Sequence, residues 1–204
     1  YFGEQKNLVA GARYRPLSIV SFAVEQGIVG KKPWLSHLIN ILLYGICGWL
    51  IYRMGELMNL GSSMGWKKMF PLIFGILFLS HPIHTEAVAN IKGRDEIMCL
   101  LFSLLTAINV LKYFDSKALK YLILSSFCFF LALMSKENAI TFLLITPLIL
   151  VFFRGEKLLS SLRQTWFLWI VAGLFLIIRT KVIGFFFDSG IKITDLMNDP
   201  FIGM

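Results

Sequence analysis

Charge is what this sequence has little of. Only 16% of its 204 residues are Asp, Glu, Lys or Arg, against about a quarter in a soluble domain. The chain is 57% hydrophobic with a mean hydropathy of +0.72. A water-soluble fold of this size cannot hide that much hydrocarbon, so lipid is the solvent for most of it. Cysteine is scarce as well. Cys47, Cys99 and Cys128 each fall in an apolar run, which excludes a disulfide framework and reads as small buried hydrophobes. No His-Glu-x-x-His occurs, so the strict zinc-protease signature is excluded. Long basic blocks are missing too. The net charge of +8 is spread singly or in pairs between apolar runs, the placement of membrane anchors and not of a nucleic-acid footprint. The chain opens at Tyr1 without a signal peptide, and Asn198-Asp199-Pro200 lies near its close. The expectation is a fragment of a larger chain.

What is present is apolar. Six runs, 34–52, 69–80, 97–114, 119–134, 139–153 and 165–187, and 19 phenylalanines predict an all-α fold, a polytopic bundle of about six transmembrane helices. A span needs about 20 residues, fewer where polar residues face other helices. The second run is short: its twelve residues rise about 18 Å against a core of about 30 Å, so His81 is expected to sit recessed. Ahead of the bundle, residues 1–15 are polar and Pro16 opens a helix. Along 16–28, Ser18, Ser21 and Glu25 fall on one side, with Leu17, Val20, Phe22, Val24 and Ile28 over the rest. That pattern predicts a helix lying in the headgroup plane. The organisation read from the chain is an external loop with an interfacial helix over 1–33, a bundle over 34–187, and the start of a second external loop over 188–204.

Six crossings put 53–68, 115–118 and 154–164 on one side of the membrane. They put 1–33, 81–96, 135–138 and 188–204 on the other. A Lys/Arg count does not decide the orientation; the short, basic first set resembles cytoplasmic loops. Every cluster with chemical potential lies on the second side. The richest is 80–96, with His81, His84, Glu86, Arg94, Asp95 and Glu96. Pro82 suits the start of a helix with Ser80 or His81 as its cap, and a helix over 82–91 would put Glu86 and Asn90 on one face. Two histidines and a carboxylate at this spacing suit a divalent metal, general acid/base work, or an anionic ligand with Arg94 on its phosphate. Lys136 and Glu137 either form a tight interfacial turn or line the same recess. Arg13 and Arg15 suit phosphate oxygens or headgroups. His37 and Asn40, three apart on one helical face, are inter-helix glue or the recess floor.

Five blocks then stand in a telling order: Tyr14-Arg15-Pro16-Leu17-Ser18, Ser36-His37-Leu38-Ile39-Asn40, His81-Pro82-Ile83-His84-Thr85-Glu86-Ala87-Val88, Gly93-Arg94-Asp95-Glu96 and Ser135-Lys136-Glu137. Over nearly its whole length the chain resembles the membrane half of the transmembrane and tetratricopeptide-repeat O-mannosyltransferases and their bacterial relatives. The resemblance implies a bundle of the GT-C glycosyltransferase type. It implies transfer of a sugar from a polyprenyl-phosphate carrier to protein Ser or Thr at the non-cytoplasmic face, in a bacterial inner membrane with the site toward the periplasm. A helical-repeat domain is expected to follow. The family's key acidic pair is expected upstream of Arg13, where Glu4 is the only acid.

Such a transfer needs a base for the acceptor hydroxyl and cations for the departing phosphate. The candidate catalytic residues are His81, His84, Glu86 and Glu137. The candidate donor-phosphate ligands are Arg15, Arg94, Lys136 and Arg179. A divalent metal is compatible with this chemistry and not required by it, because fixed cations do the same electrostatic work. The expected partners are the lipid-linked donor, a protein acceptor and membrane lipids, with protein-export machinery as a further one and no nucleic acid. A transporter is the competing class, disfavoured because a permeation path needs polar groups through the bilayer. A non-catalytic membrane scaffold is the third.

Overall fold

The computed structural model describes residues 14–30, 32–58 and 69–183. The segments 1–13, 59–68 and 184–204 lie outside the described residues. With them lie Arg13, most of the expected 53–68 loop and the whole of the 188–204 loop. Within the described residues the chain is helical and holds no strand. The helices are α1 Pro16–Val29, α2 Pro33–Leu57, α3 Phe70–Ser80, α4 Thr85–Ala89, α5 Arg94–Ser116, α6 Leu119–Ser135, α7 Phe142–Arg154, α8 Leu158–Gln164 and α9 Trp166–Ile183. Prolines open α1, α2 and α3, where the missing N–H costs no helical bond. Gly155, at φ +69°, ends α7 in the left-handed region.

α5 is the axis of the bundle. It packs along α6 on one side and α2 on the other; α3 lies against the outer side of α2, and α9 against α6. Leu111, Phe129, Leu133, Phe175 and Leu168 form the α5–α6–α9 core, and Cys47, Leu50, Ile51, Leu104 and Ile108 fill the α2–α5 seam. The three cysteines are free and buried. α2 and α3 approach through small residues. A Cβ on Gly75 would stand 3.2 Å from the Gly48 carbonyl oxygen, and one on Gly48 would stand 2.6 Å from the Leu79 side chain. Helices without a hydrophobic drive between them associate through such close packing.

The outside of the bundle is hydrocarbon. Leu42, Trp49, Phe74, Leu77, Phe127 and Phe152 are among the large apolar side chains left exposed, far more than a water-facing surface carries. By length and composition three segments can cross a membrane, Pro33–Leu57, Ile91–Ser116 and Glu137–Arg154. The number rises to five if two bent pairs are each one span: Phe70–Ser80 with Pro82–Ala89, at 50°, and Leu158–Gln164 with Trp166–Val182, at 58°. The protein is an all-α helical membrane bundle.

The ends of the helices meet in two groups. Lys136 Nζ stands 2.5 Å from Glu96 Oε1, joining the end of α6 to the start of α5. At the other end Arg154 pairs with Asp115 at 2.7 Å and donates to the Leu57 carbonyl at 3.1 Å.

The two sides of α1 are buried unequally. Ser18 and Glu25, read as the polar side of an interfacial helix, are buried, whereas Ile19, Val20, Val24 and Ile28 are exposed. α1 turns its polar side into the protein, because Glu25 finds a cation there, and leaves its apolar side to lipid.

Candidate functional site

The site is built from the α3–α5 connection. Pro82–His84 forms a 3-10 turn capped by His81, whose Nδ1 accepts from the Ile83 N–H at 3.2 Å. α4 follows, then Asn90 in an extended conformation (φ −82°, ψ 123°), then a second turn, Ile91–Gly93. The segment 82–91 is therefore broken and not one helix. The break has a local cause: the Asn90 side chain accepts from the Lys92 N–H at 3.0 Å, a bond that competes with helix continuation. Gly93 closes the path. A Cβ there would stand 2.1 Å from the Ala87 carbonyl oxygen, closer than any side chain fits.

That turn drives Arg94 inward. Its side chain is 1% exposed. Nε donates to Asn40 Oδ1 at 3.1 Å, Nη2 to the Ser36 carbonyl at 3.3 Å, and Nη1 to Ser21 Oγ at 3.4 Å. Nη2 also pairs with Glu25 Oε2 at 2.6 Å, and the guanidinium carbon lies 4.0 Å from the centre of the Phe22 ring. Ser36 Oγ donates to the other Glu25 oxygen. Burial pushes the Glu25 carboxyl up, but the Ser36 hydrogen bond and the Arg94 guanidinium outweigh it and hold the group below its ordinary 4.5. Asn40, itself fully buried, donates to the Asn90 carbonyl at 3.2 Å. One ionic cluster thus ties α1, α2 and the α4–α5 connection together, and it makes Asn40 an inter-helix bond.

Above this cluster lies an open cleft of about 690 Å³. Arg15, His84, Glu86, Lys92, Asp95 and Glu96 line it, with Phe22 and Ile83 as apolar wall. Arg15 pairs with Asp95, whose side chain is 10% exposed and whose Oδ1 also accepts from the Glu96 N–H at 2.8 Å. Cations, carboxylates and an imidazole therefore share one opening, a set able to hold an anion and to accept a proton beside it.

The eight residues expected from the sequence divide. Arg15, His84 and Glu86 line the cleft, and Lys136 reaches its rim through Glu96. Arg94 lies beneath it with its guanidinium taken up by protein groups. His81 lines a neighbouring cleft of about 470 Å³ with His37, His84 and Tyr44. Glu137 is partly buried, is not among the residues lining either cleft, and its Oε2 has no hydrogen-bond partner among the described residues. Arg179 is buried in α9. Lys92, Asp95 and Glu96 also line the cleft; the 80–96 cluster read from the sequence includes Asp95 and Glu96 without giving them a role, and gives none to Lys92, beside Gly93. Among the described residues no group of three or more His, Cys, Asp or Glu is arranged to hold a metal ion.

Helices long and apolar enough to cross a membrane, with an ionic cleft at one end, define a polytopic membrane protein. Comparison with known proteins places it more narrowly: the chain resembles the TMTC protein O-mannosyl-transferases. It is 30% identical over 186 residues to Protein O-mannosyl-transferase tmtc2 of Xenopus laevis, covering 87% of this chain and 20% of that protein. It is 33% identical over 144 residues to TMTC2 of Homo sapiens, covering 68% and 16%. To Tmtc1 of Drosophila melanogaster it is 34% identical over 135 residues, covering 66% and 15%. The chain spans a fifth or less of the length of these relatives. No family model and no solved structure matches it.

Proposed function

We propose that this chain is the membrane part of a protein O-glycosyltransferase that takes a sugar, mannose by analogy with its relatives' names, from a polyprenyl-phosphate carrier. The observation that supports the reading is the juxtaposition of Arg15 and Lys92 with Glu86, Asp95 and His84 in one cleft beside lipid-facing helices. A lipid-borne donor presents its phosphate at that depth, where the dielectric falls and an unpaired anion is costly. Arg15 and Lys92 meet the phosphate as the bond from the anomeric carbon to the phosphate oxygen breaks. The acceptor Ser or Thr oxygen attacks that carbon, and its proton passes to a cleft carboxylate. Glu86 is the first candidate because it is exposed, whereas Asp95 is held by Arg15. Arg94 acts from below: with Glu25 it fixes the floor on which the phosphate ligands stand.

On this reading the cleft faces the non-cytoplasmic side, the periplasm in a bacterial inner membrane. The partners are the donor lipid, a protein acceptor and, where acceptors emerge from export, the export machinery. Transfer from polyprenyl-phosphate-mannose to a Ser/Thr peptide, by the protein that carries this chain, is the direct test. Glu86→Gln is expected to lower it about 100-fold with thermal stability unchanged. Undiminished transfer removes Glu86, and a protein active only with a nucleotide sugar removes the lipid donor. Impermeant labelling of Thr85→Cys and Lys157→Cys reads the orientation; labelling of both from one side ends the assignment of the cleft to a single face.

A further inference from the structure

Away from the cleft, α2, α5 and α6 do not close against each other. They leave a groove of about 390 Å³ near the C-terminal halves of α2 and α5 and the first turns of α6. Its walls are apolar: Leu50, Leu105 and Ile108 on the inside, Trp49 and Leu124 at the edges. Both edge residues are exposed, 58% and 46% respectively, so the groove opens sideways onto the lipid-facing surface of the bundle. Its other end carries two cations, Arg53 on α2 and Lys112 on α5.

The charges there are arranged for an incoming anion. Glu56, beside Arg53 on α2, is already engaged twice on its own helix. Its Oε2 takes Arg53 Nη1 at 2.6 Å, and its Oε1 accepts from the Tyr52 hydroxyl at 2.6 Å. Arg53 nonetheless keeps 46% of its side chain exposed. Lys112 has no ion-pair partner among the described residues; its ammonium lies 5.7 Å from the centre of the Tyr121 ring. The buried Asn109 adds a polar group to the wall between the cations and the apolar floor. A cationic head over an apolar slot, with the rings of Trp49 and Tyr52 on its wall, is the complement of an amphiphile with a negative head.

We propose that this groove is a binding site for an anionic glycerophospholipid, its phosphate between Arg53 and Lys112 and an acyl chain along Leu105, Ile108 and Leu124. A zwitterionic lipid fits the slot less well, because its ammonium would stand against Lys112, whose charge no acid among the described residues pairs. The site is separate from the cleft at the other end of the bundle and does not depend on what that cleft does.

The test counts lipids retained by the purified full chain, by native mass spectrometry after exchange into detergent with added phosphatidylglycerol or phosphatidylcholine. Phosphatidylglycerol is expected to stay bound and phosphatidylcholine to be lost. Arg53→Gln with Lys112→Gln is expected to weaken phosphatidylglycerol binding about tenfold or more. Lys157→Gln with Arg163→Gln removes the same charge at exposed positions outside the groove and is expected to leave binding unchanged. Leu124→Trp fills the acyl side without altering charge and is expected to weaken binding on its own, which keeps the test decisive if the charge variant folds poorly. Equal retention of the two lipids overturns the proposal, as does equal loss in the two charge variants. Displacement of the lipid by millimolar inorganic phosphate reassigns the groove to free phosphate and overturns it too.

Discussion

The two ends of the bundle are held by ion pairs in opposite settings. At the cleft end Arg94 and Glu25 leave 1% and 5% of their side chains exposed, and each has further polar partners. At the far end Arg154 and Asp115 leave 14% and 45% exposed, and Arg53 and Glu56 leave 46% and 36%. Three of these four side chains are a third or more exposed, so the far pairs are screened by solvent and add little. The buried pair has no such alternative. It has to be matched on every side, and the sequence around it is built for matching, with Ser21, Ser36 and Asn40 all turned toward it. The difference teaches that one end is an ordered platform and the other an anchoring surface.

Removing one partner from the platform is the largest way to break that contrast. Arg94→Ala strands the Glu25 carboxylate in a dry site, and a loss of about 3–5 kcal/mol is expected. Thermal unfolding in detergent checks it, and Arg94→Met with Glu25→Leu should recover much of the loss. A single-variant effect no larger than that of Arg154→Ala would show that the burial of the pair decides nothing. Gly93→Ala is next. The Cβ has only backbone to push against, so the 82–93 turn must shift, at about 1–3 kcal/mol. Lower donor affinity with the helices intact by circular dichroism would locate the damage in the cleft.

Acid sharpens the comparison. The Glu25 pKa in the folded protein lies below its ordinary 4.5. The pair's contribution is therefore complete above that value and is lost as pH falls below it through the folded-state pKa. Unfolding temperature measured downward from pH 5 should fall less steeply in Glu25→Gln than in the wild type, because the variant lacks this one paired carboxylate. The smallest effect is at the anchoring end. Arg154→Ala is expected to cost about 0.2–1 kcal/mol, and a larger drop in unfolding temperature would promote that end to a platform of its own.

Much of the fold was legible because lipid permits few solutions. Backbone groups in hydrocarbon must pair within their own segment, so the run 69–80 becomes α3, 119–134 becomes α6, and 97–114 lies within α5. Proline and cap residues marked the turn after Ser80 for the same local reason. The platform was not legible. Glu25 and Arg94 lie 69 positions apart, and nothing near either one names the other. Their pairing also explains the burial of Ser18 and Glu25 on the polar side of α1, which needs a buried cation to receive it. Arg94 accordingly looked like an open phosphate ligand, when its environment makes it a strut. The roles of Lys92 and Asp95 were hidden by the opposite problem, since the break at Asn90 re-aims the residues that follow it.

The brevity of α3 has a consequence for the film around the protein. Eleven residues rise about 16 Å, roughly half the hydrocarbon thickness of a bilayer, and the chain then bends by 50° into the segment that carries the cleft. Lipid abutting α3 meets a greasy wall shorter than itself, and it adapts by thinning or tilting its tails, at fractions of a kcal/mol per ångström. A bilayer thinned on the flank beside the cleft is the expected result. For the donor proposed above, the head would then be lowered toward the opening, and delivery would be shaped by elasticity as well as by charge. Reconstitution in bilayers of graded thickness reads this directly: turnover should rise in thin membranes, and a flat response would confine α3 to packing.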